Sequence, residues 1–465
     1  MRKPAMHPIW LVLVLSVLGS SVRAGTLGNL TYYQTADLDL ETFLPIPTGQ
    51  LMISDCDKAA KGELVIPDEI EGLPVTSIGA AAFVGCDRLT SVTIPKGVTS
   101  IGDRAFNRCS SLTSIAIPDS VISIGDLAFS GCSGLTSITI PDSVTSIGFE
   151  AFHQCTELTS IIISDSITSI GNGFFWDCRN LTSIIIPDSV TSIGHLAFSG
   201  CSGLTSITIP ENVTSIGNGA FRACNGLTSV AVPDSVISIG SKAFVNCENL
   251  SLIKLGDSLA SIESQVFFNC PALTSVTIGN SVTSIGDWAF ENCISLTSIT
   301  IPNSVVTVGF GAFQGCESLT SITIPDSVTS IKGNAFKNCG SLTSITIPDR
   351  VISIGRAFMG NTSLTSVTIP QAFHSAREAF LIGIEHLWPD GFFLPSSVNP
   401  SAELSIRLPL KLILTGDQNT SAVIEATDSV NGPWSEWRTV VIGEEGTTEV
   451  DLDEGAGKRF YRVRD

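Results

Sequence analysis

Leu135 to Glu157 carries the sequence LTSITIPDSVTSIGFEAFHQCTE, and near-copies of this stretch fill about two-thirds of the chain. Its most regular marker is a cysteine that recurs every 23 residues. The members of this series are Cys86, Cys109, Cys132, Cys155, Cys178, Cys201, Cys224, Cys247, Cys270, Cys293, Cys316 and Cys339. A fixed period of this length predicts a solenoid, in which each repeat buries its apolar face only against its neighbours. We number positions in a repeat as offsets from its leading leucine, so that Leu135 has offset 0 and Cys155 has offset 20.

Each repeat is expected to hold two short strands and one compact turn. Apolar residues at offsets 3 and 5 alternate with Ser and Thr at offsets 2 and 4, as they do in strands. Pro at offset 6 ends this strand, Asp at offset 7 opens a turn, and Val-Thr-Ser-Ile forms a second extended piece. Gly at offset 13 is predicted to adopt an unusual backbone angle, and Ala-Phe-x-x-Cys to form one helical or 3₁₀ turn. The predicted core residues of the quoted repeat are Ile138, Ile140, Val144, Ile147, Ala151, Phe152 and Cys155.

The N-terminus has the pattern of a secretory signal peptide over residues 1–24. Arg2 and Lys3 supply the positive charge, Ile9 to Leu18 the apolar run, and Val22-Arg23-Ala24 a small-x-small cleavage site. The apolar run is too short for a stable membrane-spanning helix, and no later stretch is long and apolar enough to be one. We therefore expect the protein to be secreted or held at the cell surface, with no transmembrane segment after cleavage; an uncleaved anchor is the alternative.

The charge balance excludes two classes of partner. Loss of the first 24 residues removes three cations and no acid, which leaves 22 Lys and Arg against 44 Asp and Glu. Nucleic acid and anionic membrane surfaces both require clustered cations, so neither is an expected partner.

The cysteines are predicted to be buried thiols that act as small hydrophobic side chains. Export would favour disulfides, and the total of 13 is odd, so at least one thiol has no partner within the chain. Side chains that recur once per coil point the same way, which is a poor geometry for bridging. Whether any cysteines pair is left open.

The pattern L-x-x-I-x-I-P-x-x-V-x-x-I-G-x-x-A-F-x-x-C resembles the BspA-type leucine-rich repeat of secreted and surface proteins. The resemblance implies an α/β solenoid, right-handed and curved, with a parallel β-sheet on its concave face. Some members of that family are adhesins or antigens that bind host proteins. The expected organisation is an N-terminal cap at 25–62, a solenoid of about 13 coils at 63–370, a C-terminal cap and linker at 371–400, and a small all-β, sandwich-like module at 401–465.

No catalytic, cofactor or metal site is predicted, and the protein is not expected to be an enzyme. Gly256-Asp257-Ser258-Leu259 spells the signature of the GDSL esterases, but it occupies the slot where other repeats carry Pro-Asp-Ser-Val. Asp recurs at offset 7, where the alternatives are a weak calcium site and one turn-capping carboxylate per coil; capping is favoured. This column consists of Asp119, Asp142, Asp165, Asp188, Asp234, Asp257, Asp326 and Asp349.

Two outward surfaces are candidates for binding. One is a hydroxyl array on the strand face, represented by Ser137, Thr139, Thr208, Thr300 and Thr323. The other is an aromatic group near the turn, formed by Phe149, His153, Trp176 and His195, for which packing against neighbouring coils is the alternative. The favoured function is adhesin-like binding of an extracellular protein or glycan through the repeat surface. The alternatives are a structural spacer or envelope component without a specific ligand and, remotely, glycan or ice binding by the Ser/Thr array. The oligomeric state and the role of the C-terminal module cannot be predicted.

Overall fold

The computed structural model describes residues 24–38 and 45–369, together with six strands of the C-terminal segment. The predicted signal peptide up to residue 23 and the predicted cap and linker at 371–400 lie outside the described residues. The chain divides into two compact units, Met1–Leu227 and Thr228–Asp465. Each unit consists largely of stacked coils with parallel strands, about 13 coils in all. Within the described residues, no helix is long and apolar enough to cross a membrane.

An antiparallel element begins the first unit. Strands β1 (Ala24–Leu27), β2 (Leu30–Leu38) and β3 (Pro45–Cys56) pair in sequence order, and β3 then pairs in parallel with Leu73–Ile78 of the first coil. Tyr32 and Tyr33 on β2 are buried. Because β3 occupies the place of a preceding coil, it supplies backbone partners to a strand that would otherwise be an open edge.

Every regular coil contributes up to two strands, each of which pairs with the same segment of a neighbouring coil. In the first unit, the strands near offsets 2–4 are Gly62–Val65, Leu89–Thr93, Ser114–Ala116, Ser137–Thr139 and Ser160–Ile162. Those at offsets 11–12 are Leu73–Ile78, Ser100–Ile101, Ser123–Ile124, Ser146–Ile147, Ser169–Ile170, Ser192–Ile193 and Ser215–Ile216. A two-residue strand, Glu69–Ile70, pairs antiparallel with Leu73–Ile78.

The second unit repeats this arrangement. Its strands at offsets 2–4 are Ser229–Ala231, Leu252–Lys254, Ser275–Thr277, Ser298–Thr300, Ser321–Thr323, Ser344–Thr346 and Ser366–Ile369. Those at offsets 11–12 are Ser238–Ile239, Ser261–Ile262, Ser284–Ile285, Thr307–Val308, Ser330–Ile331 and Ser353–Ile354. The pairing is in register, with Ile299 opposite Ile322 in neighbouring coils.

The core is a column of equivalent apolar side chains. Phe152 and Cys155 are fully buried, and Ile138 is 4% exposed, which confirms most of the predicted core; Ile147 is only half-buried. The phenylalanine rings at offset 17 stack along the column, with the centroids of Phe106 and Phe129 5.4 Å apart and their planes at 2°. Stacking of parallel rings stabilises the core beyond the apolar area that each ring buries.

The α/β assignment was wrong, because the described residues contain no helix. The Ala-Phe-x-x-Cys segment does not form a helix, because its N–H groups donate alternately to carbonyls of their own coil and of the next coil. Val84 N donates within its own coil to Ala81 O at 3.0 Å, whereas the N–H groups of Phe83 and Gly85 donate to Ala105 O and Asn107 O of the next coil. A helix requires successive N–H groups to bond within their own segment. The coils are therefore built from strands and turns.

The prediction for Gly at offset 13 was also wrong. Gly102 does not have a positive φ; its role is to allow close approach, since a Cβ atom there would lie 2.6 Å from Ala80 N of the preceding coil. The left-handed backbone occurs instead at offsets 15 and 19, as at Glu150 (φ 53°) and Gln154 (φ 58°).

Six strands of the C-terminal segment are described, all in the second unit and all antiparallel. Ser366–Ile369 of the last coil pairs with Glu403–Arg407, and this sheet continues through Lys411–Thr415 to Thr447–Asp451. A second sheet places Ser421–Thr427 between Ser435–Val441 and Phe460–Arg464.

Candidate functional site

The predicted hydroxyl array lies on the exposed side of the strands at offsets 2–4. Ser137 and Thr139 are exposed, while Ile138 between them is buried, as strand alternation requires. Thr208, Thr300 and Thr323 are exposed at the equivalent offset. Hydroxyl groups therefore point outward in both units.

The array is interrupted in the first unit and continuous in part of the second. Thr300 lies directly opposite Thr323 in the neighbouring strand. Thr139 instead lies opposite Ile162, which is 64% exposed, and the next coil places Ile185 at this offset with 85% exposure. Thr139 and Thr208 are therefore separated by two exposed isoleucines.

The free hydroxyls differ from the other threonine hydroxyls of the coil. At offsets 1 and 10, threonines donate to the carbonyl of the preceding coil, as Thr159 does to Thr136 O at 3.1 Å and Thr191 to Thr168 O at 3.2 Å. The five candidate hydroxyls make no hydrogen bond to any part of the chain that the structure describes; they belong to Ser137, Thr139, Thr208, Thr300 and Thr323. They remain available as donors and acceptors for a ligand.

The predicted aromatic group separates into two kinds of position. His153 and Trp176, both at offset 18, are in ring contact with centroids 4.7 Å apart. The His153 Nδ1 atom also lies 3.4 Å from the Ser130 hydroxyl and 3.8 Å from a carboxylate oxygen of Glu150. Half-buried and engaged on several sides, this pair packs between neighbouring coils.

Phe149 and His195 belong to a separate column at offset 14. The N–H of Phe149 donates to Asp126 Oδ1 at 2.9 Å, and the Nδ1 atom of His195 accepts the N–H of Asn218 at 2.8 Å. Side chains in this column thus accept a backbone N–H from the next coil, which gives His195 a structural role. Phe149 has no acceptor atom to offer and is 47% exposed.

Two of the aspartates at offset 7, both in the second unit, accept a backbone N–H from the next coil instead of capping their own turn. Asp234 Oδ1 accepts the N–H of Asp257 at 2.9 Å, and Asp257 Oδ1 accepts the N–H of Asn280 at 3.1 Å. Ser258 of the GDSL string is exposed in the same turn. In the described part of the chain, no three His, Cys, Asp or Glu side chains are grouped so that they could hold a metal ion.

All 13 cysteines are free and buried, and most of the series has a hydrogen-bonding role that sequence reasoning missed. Cys155 Sγ donates to Phe129 O at 3.2 Å, and Cys178 Sγ to Phe152 O at 3.1 Å. Burial raises the pKa of the Cys270 and Cys339 thiols to about 12. Such thiols are weak nucleophiles near neutral pH, because the thiolate is the reactive form.

A second aromatic cluster in the second unit was not predicted. Trp288 and Phe310 meet edge to face with centroids 5.5 Å apart, and Lys332 Nζ lies 3.1 Å from Asp287 Oδ1 beside them. Trp288 lies over Gly311, where a Cβ atom would be 2.8 Å from the indole Cδ1. The signal in the sequence is a large residue at offset 15 followed by glycine at the same offset of the next repeat.

Comparison with known proteins gives one family and several solved structures. The family model described as BspA type Leucine rich repeat region matches residues 76–205, 168–297 and 284–386, which together span more than half of the chain. A leucine rich cell surface protein from Faecalibacterium prausnitzii is 34% identical, with 70% of this chain and 95% of that chain covered and a TM-score of 0.48. A leucine-rich repeat protein from Bacteroides ovatus is 29% identical, with the same coverage and a TM-score of 0.53. The search of curated proteins found no match.

Proposed function

Because the chain belongs to the BspA-type leucine-rich repeat family, we propose that it is an exported, non-enzymatic protein that binds an extracellular protein or glycan. The binding surface is the strand face at offsets 2 and 4. The family match and the sequence identity to a bacterial cell surface protein support export, as does the signal-like N-terminus.

The free hydroxyls of the strand face carry this proposal. The threonines at offsets 1 and 10 use their hydroxyls to join coils, as Thr191 does. Those at offset 4, such as Thr300 and Thr323, are exposed and make no such bond within the described residues. Rows of rigidly held hydroxyls suit a partner that presents amide or hydroxyl groups, because each hydroxyl both donates and accepts.

Replacement of four threonines by lysine tests the strand face. The mature chain, with Thr139, Thr208, Thr300 and Thr323 changed together to lysine, is compared with the wild type on a glycan array and on a panel of extracellular matrix proteins. The proposal expects at least a 10-fold loss of binding, since four long cations cover the hydroxyl rows. Replacement of the same four residues by serine keeps the hydroxyls and is expected to retain binding.

Two further variants separate this surface from the aromatic pair and from a general charge effect. Asn218→Lys adds a cation at the exposed offset 14, ten residues beyond the strand in the repeat, and Trp176→Ala removes one ring of the pair; both are expected to bind as the wild type does. If the lysine variant binds as well as the wild type, the strand face is not the binding surface. A wild-type protein that binds nothing on either panel would favour a structural spacer.

A further inference from the structure

A polar groove crosses five successive coils of the first unit and encloses about 530 Å³. Its walls come from offsets 19 and 21, on either side of the buried cysteine at offset 20. The residues at offset 19 are Gly85, Arg108, Gly131, Gln154 and Asp177. The volume lies within the range of about 300–1,000 Å³ that is typical of small-ligand sites.

Several polar groups in this groove are uncommitted. The side chains of Arg108, Gln154, Asp87, Ser110 and Ser133 make no hydrogen bond or ion pair with the residues that the structure describes, and all five line the groove. At one end of the groove two charged side chains form an ion pair, in which the Nε atom of Arg179 lies 3.7 Å from Asp177 Oδ1. Arg108 is thus the unpaired cation of the groove.

The same offset is used differently in the second unit. There Asn246 and Asn269 occupy offset 19 in successive coils, and Asn269 Nδ2 donates to Asn246 Oδ1 at 3.0 Å. Neighbouring side chains can therefore satisfy one another at this offset. Uncommitted groups in the groove do not follow from the repeat itself.

Arg108 and Gln154 occupy positions where glycine would be more favourable. Their φ angles are 61° and 58°, in the left-handed region, where a residue with a β-carbon costs roughly 1–2 kcal/mol. Gly85 and Gly131 fill the same offset in the neighbouring coils without that cost. The backbone at these positions is held from inside the protein, because the N–H groups of Arg108 and Gln154 donate to Ser130 O and Trp176 O of the next coil, both at 2.7 Å. The two side chains make no such bond within the described residues, so they are the groups available to a ligand.

We propose that this groove binds an acidic oligosaccharide, with the Arg108 guanidinium pairing with a sugar carboxylate. A guanidinium presents a planar fork of donors that matches a carboxylate. Gln154, Ser110 and Ser133 offer donors and acceptors to the sugar hydroxyls. No apolar or aromatic side chain lines the groove, so a peptide would find no pocket for a hydrophobic anchor.

The acidity of the whole chain does not oppose this pairing. The formal net charge is −19, but exposed charges farther away than about 8 Å are largely screened at physiological ionic strength. The groups inside the groove therefore dominate the field that the ligand meets. They are two arginines and two aspartates, and because Asp177 lies beside Arg179, a ligand carboxylate is expected at Arg108 and away from Asp87. The groove lies at offsets 19 and 21 and the strand face at offsets 2 and 4, so the two proposed sites share no residue and are tested separately.

Titration calorimetry of the mature chain with defined oligosaccharides tests the groove. The probes are a galacturonate hexamer and a hyaluronan hexamer, each compared with a neutral galactose hexamer. We expect at least one acidic hexamer to bind 10-fold or more tightly than the neutral one, and Arg108→Gln to remove that preference. Arg104→Gln is the matched control, because Arg104 is an exposed arginine of the same coil, also with a left-handed φ of 55°, and lies outside the groove.

Four outcomes with the wild type and the arginine variants would overturn the proposal. They are failure of both acidic hexamers to bind, equal binding of the neutral hexamer, an equal loss in the Arg108 and Arg104 variants, and tighter binding of a glutamate hexapeptide than of either sugar. Thr139→Val is expected to leave galacturonate binding unchanged. A loss in that variant would place the site on the strand face instead of in the groove.

Discussion

At Gly102 the absence of a side chain sets how closely two coils approach. A Cβ atom at this residue would lie 2.6 Å from Ala80 N and 2.8 Å from the carbonyl carbon of Gly79, both in the backbone of the preceding coil. Backbone atoms of a stacked coil cannot move aside as a flexible side chain can. The glycine at offset 13 is therefore a packing requirement, which explains why it recurs although its φ is not positive.

Gly102→Ala is expected to destabilise the first unit by about 1–3 kcal/mol, which is the usual cost of overpacking. Gly340→Ala is the control, since a Cβ atom there meets nothing within 4 Å and its φ lies outside the left-handed region. Urea unfolding followed by circular dichroism measures both variants. Equal stability of the two alanine variants would show that coil spacing adjusts freely around Gly102.

The cysteines at offset 20 form hydrogen bonds that join neighbouring coils. Each thiol from Cys109 to Cys224 donates to the phenylalanine carbonyl of the preceding coil, as Cys109 does to Phe83 O at 3.1 Å. The same carbonyl also accepts an N–H of its own coil, as Phe83 O does from Cys86 N at 3.0 Å, so the thiol adds a second bond that joins two coils. Asn361 replaces cysteine in the last coil and works in another way, because its Oδ1 accepts the N–H of Cys339 at 2.8 Å.

The raised thiol pKa values predict a loss of stability at alkaline pH. The folded state keeps protons on Cys270 and Cys339 up to a pKa of about 12, whereas an unfolded thiol releases its proton near pH 8.5. Their contribution is therefore complete below about pH 8.5 and declines as the pH rises toward 12. Each thiol contributes about 1.4 kcal/mol per pH unit to this decline.

Urea unfolding at pH 7, 9 and 10 measures this decline. The Cys270→Ala, Cys339→Ala double variant is expected to be less stable at pH 7 and to lose stability less steeply above pH 9 than the wild type. Parallel curves for the two proteins would mean that the thiols do not keep their protons in the folded state.

Sequence reasoning predicted the parts of the coil that depend on residue type and missed those that depend on the neighbouring coil. The period, the buried Phe152 and Cys155, and the outward Thr139 follow from apolar spacing alone. The spacing of the Ala-Phe-x-x-Cys segment resembles a helical turn, but Phe83 N donates to Ala105 O one coil away. No local pattern reveals that partner.

In the candidate surfaces too, sequence predicts exposure but does not reveal contacts with neighbouring coils. Exposure of the threonines at offset 4 could be predicted from strand alternation, but their freedom from hydrogen bonds could not, since Thr159 and Thr191 look equally available in sequence. His195 was predicted as part of a binding patch, and the sequence gives no sign that its Nδ1 atom accepts the N–H of Asn218. The Arg108 groove depends on side chains from five coils, and no single repeat contains it.

At the scale of the whole molecule, like charges recur once per coil. The chain has 44 acidic and 25 basic residues, and successive coils place Asp119, Asp142, Asp165 and Asp188 at one offset. Parallel strands lie about 4.8 Å apart, so exposed carboxylates in such a column repel one another. This self-repulsion opposes folding and is screened by salt.

The melting temperature of the mature chain is therefore expected to rise by several degrees between roughly 10 mM and 300 mM NaCl, as the Debye length shrinks from about 30 Å to less than 8 Å. Differential scanning calorimetry at constant pH measures the change. Asp142→Asn removes one charge from the middle of the column and should raise the melting temperature at low salt more than at high salt. A melting temperature that falls with added salt would show that attractive ion pairs outweigh the repulsion.

Because the coils are nearly identical, equivalent hydrogen bonds can also form between coils that are not neighbours in the native fold. Thr159 bonds the carbonyl of Thr136, but the coil that carries Thr136 differs little from several others along the chain. A nascent coil could dock on the wrong neighbour and form almost every native contact, which is a kinetic trap of the kind that repeat proteins encounter. The irregular coils remove this degeneracy. Ser164 in place of proline, Lys332 in place of glycine and Asn361 in place of cysteine mark single coils, so that a misplaced partner leaves a mismatch and the pairing can reverse.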